Sequence, residues 1–233
     1  IPCYNEYHSL PILFQKARYI VSNYDVEFIF LDNGSSDKTW ELMQKEDKNE
    51  NIKCLKIVKN KGYGYGIKFA INNIKSPYLG WTHADLQTDL FDICRALEII
   101  IENNKLNNEF LCIKGVRYGR KSSEKFISFS MSFLTRIFFF PWKTFEINAQ
   151  PSIYHSSIKS YLKNSPNDYN IDIYVYLLSF FLNFKQKRFP VLFPSRTYGK
   201  SHWNINYLYK LRFISNTFFF ILKMFFKRRN FLE

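Results

Sequence analysis

Gly80-Trp81-Thr82-His83-Ala84-Asp85-Leu86-Gln87-Thr88-Asp89 follows the apolar run Tyr78 to Trp81 and precedes the amphipathic stretch Leu90 to Glu102. The first flank reads as a short buried strand and the second as a helix, so these acidic and amide side chains belong at the C-terminal end of a strand. In an open α/β sheet that is where ligands bind. On an extended backbone His83, Asp85 and Gln87 share one face. Such a donor set suits a divalent cation that carries a diphosphate. The plainer alternative is a polar strand-to-helix turn with Asp89 as the helix N-cap.

Working outward, strand and helix alternate. Leu10, Leu13, Phe14, Ala17, Ile20 and Val21 fall at helical spacing within Glu6–Asn23, and Val26–Leu31 is an apolar strand. Asp32-Asn33-Gly34-Ser35-Ser36-Asp37 is a turn that opens a helix over Lys38–Lys45, and Ile52–Val58 is the next strand. Asn60-Lys61-Gly62-Tyr63-Gly64-Tyr65-Gly66 reads as a glycine-rich loop before a helix over Ile67–Ile74, and Phe110–Gly115 as a strand after the helix at Leu90. This rhythm predicts an α/β fold with a mostly parallel central sheet and helices on both faces. Three loops then fall at C-terminal strand ends: Cys3–Glu6, Asp32–Asp37 and His83–Asp89. Together with the glycines they describe an acidic, glycine-lined crevice.

At 233 residues the chain can hold one good-sized domain. It opens on Ile1-Pro2-Cys3 rather than Met, and the expectation is that a few residues of an opening strand precede it. Cys3, Cys54, Cys94 and Cys112 are scattered without metal or disulfide spacing, as in a cytoplasmic protein with reduced thiols. The formal net charge is +13, with a sequence pI near 9.5. That balance implies an anionic partner. Between Asp172 and Glu233 there is no acidic residue, while cations and phenylalanines accumulate.

Four blocks carry a resemblance. Ile1-Pro2-Cys3-Tyr4-Asn5-Glu6, Leu31-Asp32-Asn33-Gly34-Ser35-Ser36-Asp37-Lys38-Thr39, Asn60-Lys61-Gly62 and Ala84-Asp85-Leu86-Gln87 resemble the signature blocks of family 2 glycosyltransferases. Within that family the likeness is to the dolichol-phosphate mannosyltransferase and undecaprenyl-phosphate glycosyltransferase branch. It is close over residues 1–120 and looser to about 205. The resemblance implies a GT-A fold over 1–205, followed by a basic, aromatic C-terminal helix over 206–233.

It also implies a nucleotide sugar, UDP- or GDP-linked, at the sheet edge. Pro2, Tyr4, Glu6 and Asp32 would meet the base and ribose, and Lys61, Gly62 and Ala84 would line the nucleotide. Asp85 and Gln87, with His83 where relatives carry a first aspartate, would hold Mg²⁺ or Mn²⁺. Arg117 resembles a phosphate-binding arginine, and Asn148 and Gln150 occupy the place of an acceptor-site block. Arg196, Ser201 and His202 resemble a loop that closes over the donor diphosphate. The expected acceptor is a polyprenyl phosphate or a glycan hydroxyl. A phosphate oxygen needs no base, whereas a hydroxyl would use Asp172 or Asp89, although Asp172 also reads as a helix N-cap.

Phe126–Trp142 and Phe213–Phe226 are aromatic but broken by polar residues, and the second is shorter than the roughly 20 residues of a spanning helix. Phe126–Trp142 reads equally as a core helix or as membrane contact. Phe213–Arg229 reads as an interfacial helix on an anionic membrane surface, giving a peripheral protein on the cytoplasmic face. Two other readings compete. A nucleic-acid-binding module accounts for the charge but not for the acidic crevice, and no nucleic-acid partner is expected. A catalytically silent scaffold accounts for His83.

Overall fold

The computed structural model describes residues 1–46, 50–120, 122–140, 142–194, 196 and 207–227; side chains at 122–124, 126, 127 and 207–210 are not described. Among the described residues seven strands and seven α-helices alternate, in the rhythm expected as far as the strand that starts at Leu111. They are β1 (Pro2–Cys3), α1 (Leu10–Val21), β2 (Phe28–Asn33), α2 (Thr39–Glu46), β3 (Ile52–Ile57), α3 (Tyr63–Ile71), β4 (Tyr78–Trp81), α4 (Asp92–Leu106), β5 (Leu111–Tyr118), α5 (Ser122–Phe138), β6 (Ser152–His155), α6 (Ile171–Phe181), β7 (Lys185–Leu192) and α7 (Tyr207–Phe226). A 3₁₀ segment, Ser156–Asn164, joins β6 to the loop before α6.

Strands β1, β2 and β3 form a parallel sheet, and the second sheet has the order β4-β6-β5-β7. Strand β6 is antiparallel to both β4 and β5, whereas β5 and β7 run parallel. All six residues of β2 are buried, as a central parallel strand requires. Alternation along β5 sends Leu111 and Ile113 to a cluster with Ala96 and Ile100 of α4, and Cys112 to the opposite cluster with α6. Both faces of this sheet are therefore covered. A cavity of about 500 Å³, lined by Ile29, Leu31, Leu79 and Ile67, separates the two sheets beside β1.

Two expectations about local structure change. The glycine-rich stretch is not a loop: α3 begins at Tyr63, with Gly62 at φ 107° before it. A Cβ on Gly64 would lie 2.4 Å from the Pro166 carbonyl oxygen and 2.7 Å from that of Asp168. The glycine lets the helix start dock against the loop before α6, a contact invisible to local periodicity. Asp172 is not an N-cap. Asn170 holds that position, and Asp172 lies buried in the first turn of α6.

Helix α4 starts on Asp92, whose carboxyl is pushed up to about 6 by burial, with Asp89 adding and Arg95 opposing. The folded chain thus holds that proton more tightly than the unfolded chain, whose carboxyl titrates near 4, so stability falls as pH rises through this window. We expect Asp92→Asn to be more stable than the parent by about 1–3 kcal/mol at neutral pH, with the gain vanishing below about pH 4. Urea unfolding at both pH values checks it.

Candidate active site

The loops that leave β1, β2 and β4 meet at one end of the molecule. The first two are stitched together by backbone-to-side-chain bonds. Asn5 N donates to Ser35 Oγ (3.0 Å), Ser36 N to Asn5 Oδ1 (2.8 Å) and Glu6 N to Thr39 Oγ1 (2.9 Å). Asn5 itself sits at φ 58°, a conformation asparagine tolerates. Pro2 and Tyr4 are half-buried beside this seam. Asp32 is fully buried; its Oδ1 accepts from Ser35 N at 2.9 Å, and its Oδ2 has no partner among the described residues.

Glu6, Arg196 and Asp85 form a chain of charge. Arg196 Nη2 donates to Glu6 Oε1 at 2.5 Å, and its Nε lies 3.7 Å from Asp85 Oδ2. Ser9 Oγ holds the other Glu6 oxygen at 3.0 Å. Burial pushes the Glu6 carboxyl up, Arg196 opposes it, and the negative charge of Asp85 adds to the rise. Two carboxylates near each other, with one guanidinium between them, favour a further cation. Hard oxygen donors of this kind fit Mg²⁺ or Mn²⁺.

The alternation expected for His83, Asp85 and Gln87 does not hold. Leu86 takes φ 60° and turns the chain between the last two. Gln87 N donates back to Asp85 Oδ1 at 3.1 Å, a side-chain-closed turn. The Gln87 amide reaches away to the Pro194 carbonyl at 3.1 Å, and the His83 ring faces Tyr63 at 6.0 Å between centroids. No cluster of three acidic, His or Cys side chains with metal-binding geometry occurs among the described residues. Ala84 is buried in the core under this turn.

Lys61 is exposed over the Tyr65 ring at 5.0 Å, and Gly62 N is fixed by Asn60 Oδ1 at 2.8 Å. Asp89 lies outside this grouping. It pairs with Lys16 at 2.8 Å, caps Phe91 N at 3.0 Å and stays half exposed. Ser201 and His202 lie outside the described residues.

Asp172 anchors a second, buried group. Its Oδ1 accepts from Trp81 Nε1 at 2.8 Å and from Gln150 Nε2 at 3.3 Å. Lys114, on β5, is fully buried; its ammonium donates to Ser152 Oγ and stands 5.6 Å from the centre of the Tyr176 ring. Burial pushes Lys114 down to about 8, although Asp172 draws it back up. The Tyr63 hydroxyl, buried and without a partner among the described residues, is pushed well above its ordinary value, first by burial and then by Asp172 and Asp85.

Arg117 is on β5 itself rather than in a turn after it. Its Nε donates to Glu146 Oε2 at 2.7 Å, and Arg120 Nη2 takes the other Glu146 oxygen at 2.5 Å. Both arginines also donate to Ser128 Oγ of α5. Asn148 follows, with its amide directed at Met131 Sδ and its Oδ1 without a partner among the described residues. Sequence reasoning missed Glu146, Arg120, Lys114, Trp81 and Tyr63. One signal for Glu146 was available: it is the only acid between Glu124 and Asp168.

Among curated proteins, the chain is 30% identical over 118 residues to a dolichyl-phosphate β-glucosyltransferase of Dictyostelium discoideum, covering 46% of this chain and 36% of that one. It is 33% identical over 104 residues to an undecaprenyl-phosphate 4-deoxy-4-formamido-L-arabinose transferase of Photorhabdus laumondii, covering 42% and 31%. The matched stretch thus spans about a third of those relatives. Among solved structures, glucosyl-3-phosphoglycerate synthase of Mycobacterium tuberculosis superposes with a TM-score of 0.70 at 11% identity over 96% of this chain and 77% of that one. The same synthase, in complex with Mn²⁺, UDP and glucosyl-3-phosphoglycerate, gives 0.65 at 13% over the same shares. A mannosyltransferase of Pyrobaculum calidifontis in complex with GDP-mannose and Mn²⁺ gives 0.58 at 13% over 85% and 56%. These likenesses establish a shared GT-A-type fold. Residues 1–165, from β1 through β6 and the 3₁₀ segment after it, match the profile of glycosyl transferase family 2, and the chain belongs to that family.

Proposed function

We propose that the chain is an inverting glycosyltransferase that moves one sugar from a UDP- or GDP-sugar to a polyprenyl phosphate. The observation that carries this reading is the convergence of Glu6, Asp32 and Asp85 from the loops after β1, β2 and β4, where Arg196 bridges two of them. Asp32 Oδ2 offers a buried acceptor for a nucleobase N–H, beside Pro2 and Tyr4. Lys61 and Gly62 line the nucleotide, and Arg196, with Ser201 and His202, meets the diphosphate. Asp85, with Gln87 and His83 close by, would hold a divalent metal, which supplies charge neutralisation for the leaving diphosphate when bound.

A phosphate oxygen of the acceptor forms the new bond to the anomeric carbon as the bond to the nucleoside diphosphate breaks, inverting that carbon. Arg117 lies at the acceptor side, with Asn148 and Gln150. The relatives named for dolichyl and undecaprenyl phosphates support this acceptor class. The working place is the cytoplasmic face of a membrane, and Lys223 and Lys227 meet its anionic headgroups.

Titration calorimetry with UDP and GDP, with and without Mn²⁺, tests the reading. Metal-dependent binding of one nucleotide is expected. Binding of neither sinks the transferase and favours the silent scaffold, for which the Arg196–Asp85 contact is the motivating observation.

Asp172→Asn separates the acceptors. The asparagine Oδ1 can still accept from Trp81 and Gln150. With a polyprenyl phosphate, already anionic, turnover should stay within about tenfold of the parent; an obligatory base for a hydroxyl acceptor would cost about 10²–10⁴-fold. Steady-state rates with dolichyl phosphate and with a glycan acceptor decide between them.

A further inference from the structure

Helix α5 is built inside out. Its inward stripe is Ser132, Thr135 and Phe139, all buried. Thr135 Oγ1 donates to the Met131 carbonyl at 2.8 Å, and the backbone carbonyl of Ser132 accepts from Thr144 Oγ1 at 3.1 Å. The outward stripe is Phe129, Phe133 and Ile137, continued by Phe140 just past the helix end, at 61%, 54%, 56% and 82% exposure. Residues spaced by three or four lie one above another on a helix, so these form one continuous apolar face. Phe129 and Phe133 stack on each other at 6.0 Å. Scattered surface phenylalanines are ordinary, but a contiguous stripe marks a contact surface.

The charges on this face have one sign. Lys125 and Arg136 are exposed on the helix and Lys143 just beyond its end, and from Lys125 to Phe145 the sequence has no acid. Helix α7 packs on α5, with Phe138 and Phe225 ring centres 5.4 Å apart, and repeats the pattern. Its exposed residues include Phe219 and Phe226 among Arg212, Lys223 and Lys227. A protein partner for an all-cationic rim would need an acidic rim of its own, whereas an anionic bilayer supplies headgroup charge and acyl chains together. No helix among the described residues is long and apolar enough to cross a membrane, so the face lies on the bilayer rather than through it.

We propose that the outer face of α5 is the principal docking surface of this protein for an anionic lipid bilayer, with Phe129, Phe133 and Phe140 entering the headgroup boundary and Lys125, Arg136 and Lys143 meeting lipid phosphates. The assignment rests on the membrane placement proposed above and names the face that makes the contact, while nucleotide titration in solution tests the transferase chemistry separately. It has one structural consequence: Ser128, at the near end of the stripe, binds Arg117 and Arg120, so docking brings the arginine pair to the membrane surface.

The test is flotation with vesicles of phosphatidylcholine alone and of phosphatidylcholine containing one-third phosphatidylglycerol. It compares the parent, the triple variant Phe129→Ser/Phe133→Ser/Phe140→Ser, and the triple variant Lys125→Gln/Arg136→Gln/Lys143→Gln. These phenylalanines are largely exposed, so unchanged circular dichroism and thermal unfolding are expected for both variants. The parent should bind the anionic vesicles at least tenfold better than the neutral ones. The serine variant should lose at least tenfold of that binding, and the glutamine variant should lose the preference for anionic lipid. Equal binding by the parent and the serine variant overturns the proposal. So does a parent that ignores both vesicles and sediments as a dimer which the serine variant dissolves, because the face then belongs to a second copy.

Discussion

Asp85→Ala should abolish Mn²⁺-dependent nucleotide binding and lower sugar transfer by at least about 10³-fold, the scale of removing a main electrostatic stabiliser of a leaving group. Among the described residues of the crevice, Asp85 is the carboxylate that combines a backbone-fixed oxygen with a second oxygen facing a cation. Its Oδ1 accepts from Gln87 N, and its Oδ2 faces Arg196 at 3.7 Å. Alanine loses both roles, so the variant alone does not separate metal binding from closure of the turn. Asp85→Asn does: the amide oxygen can keep the Gln87 N–H while the charge is gone. Both variants should lose nucleotide binding, and both should fold, since Arg196 retains Glu6 at 2.5 Å. Calorimetry with and without Mn²⁺ reads the first outcome and thermal unfolding the second. An asparagine variant that binds nucleotide like the parent would exclude Asp85 as a metal ligand.

Glu146→Ala should have the largest effect on stability, about 3–5 kcal/mol, the cost of stripping a buried ion pair of one partner. The Glu146 side chain is 6% exposed, and those of Arg117 and Arg120 are 10% and 5%. Burial alone would raise the Glu146 carboxyl, but the two guanidinium groups hold it below its ordinary value. Without it, two buried positive charges would face each other, with Ser128 as a shared neutral acceptor. The backbone of Glu146 is at φ 45°, a conformation that glycine would adopt more easily. Comparing Glu146→Gly with Glu146→Ala by urea unfolding therefore separates the two contributions. Both should fall far below the parent, with glycine recovering roughly 1 kcal/mol of backbone strain. Equal stability of parent and alanine variant would show that the pair is neutralised some other way.

Much of this protein is legible locally. The apolar spacing of Leu10, Leu13, Phe14, Ala17 and Ile20 dictates α1, because burying one helical stripe needs only the sequence of that stripe. Strand β2 and its turn follow in the same way from Phe28 to Asn33 and Gly34. The crevice itself was legible because three of its loops follow the C-terminal ends of β1, β2 and β4, and an alternating α/β chain gathers such strand ends at one edge. Asp85, Glu6 and Asp32 could be named for that reason, whereas Arg196 was named only through the family resemblance and its contacts with Glu6 and Asp85 came from the structure.

Tertiary structure decided the rest, wherever a residue's state depends on a distant neighbour. The helix start at Gly64 can dock only as glycine, because Pro166 and Asp168 leave no room for a Cβ, a contact about a hundred residues away in the chain. Asp172 is a buried hydrogen-bond hub rather than a cap because Trp81 and Gln150 arrive from two other strand ends. Glu146 is a clamp because β5 delivers Arg117 and Arg120 to it. In α5 the sequence alone determined only that an aromatic helix forms. Which stripe faces inward was decided by tertiary packing: Phe139 meets Phe181 of α6 and Phe225 of α7, Ser132 and Thr135 are buried, and three other phenylalanines are left outward, a choice composition cannot specify because the outward stripe is the more apolar one.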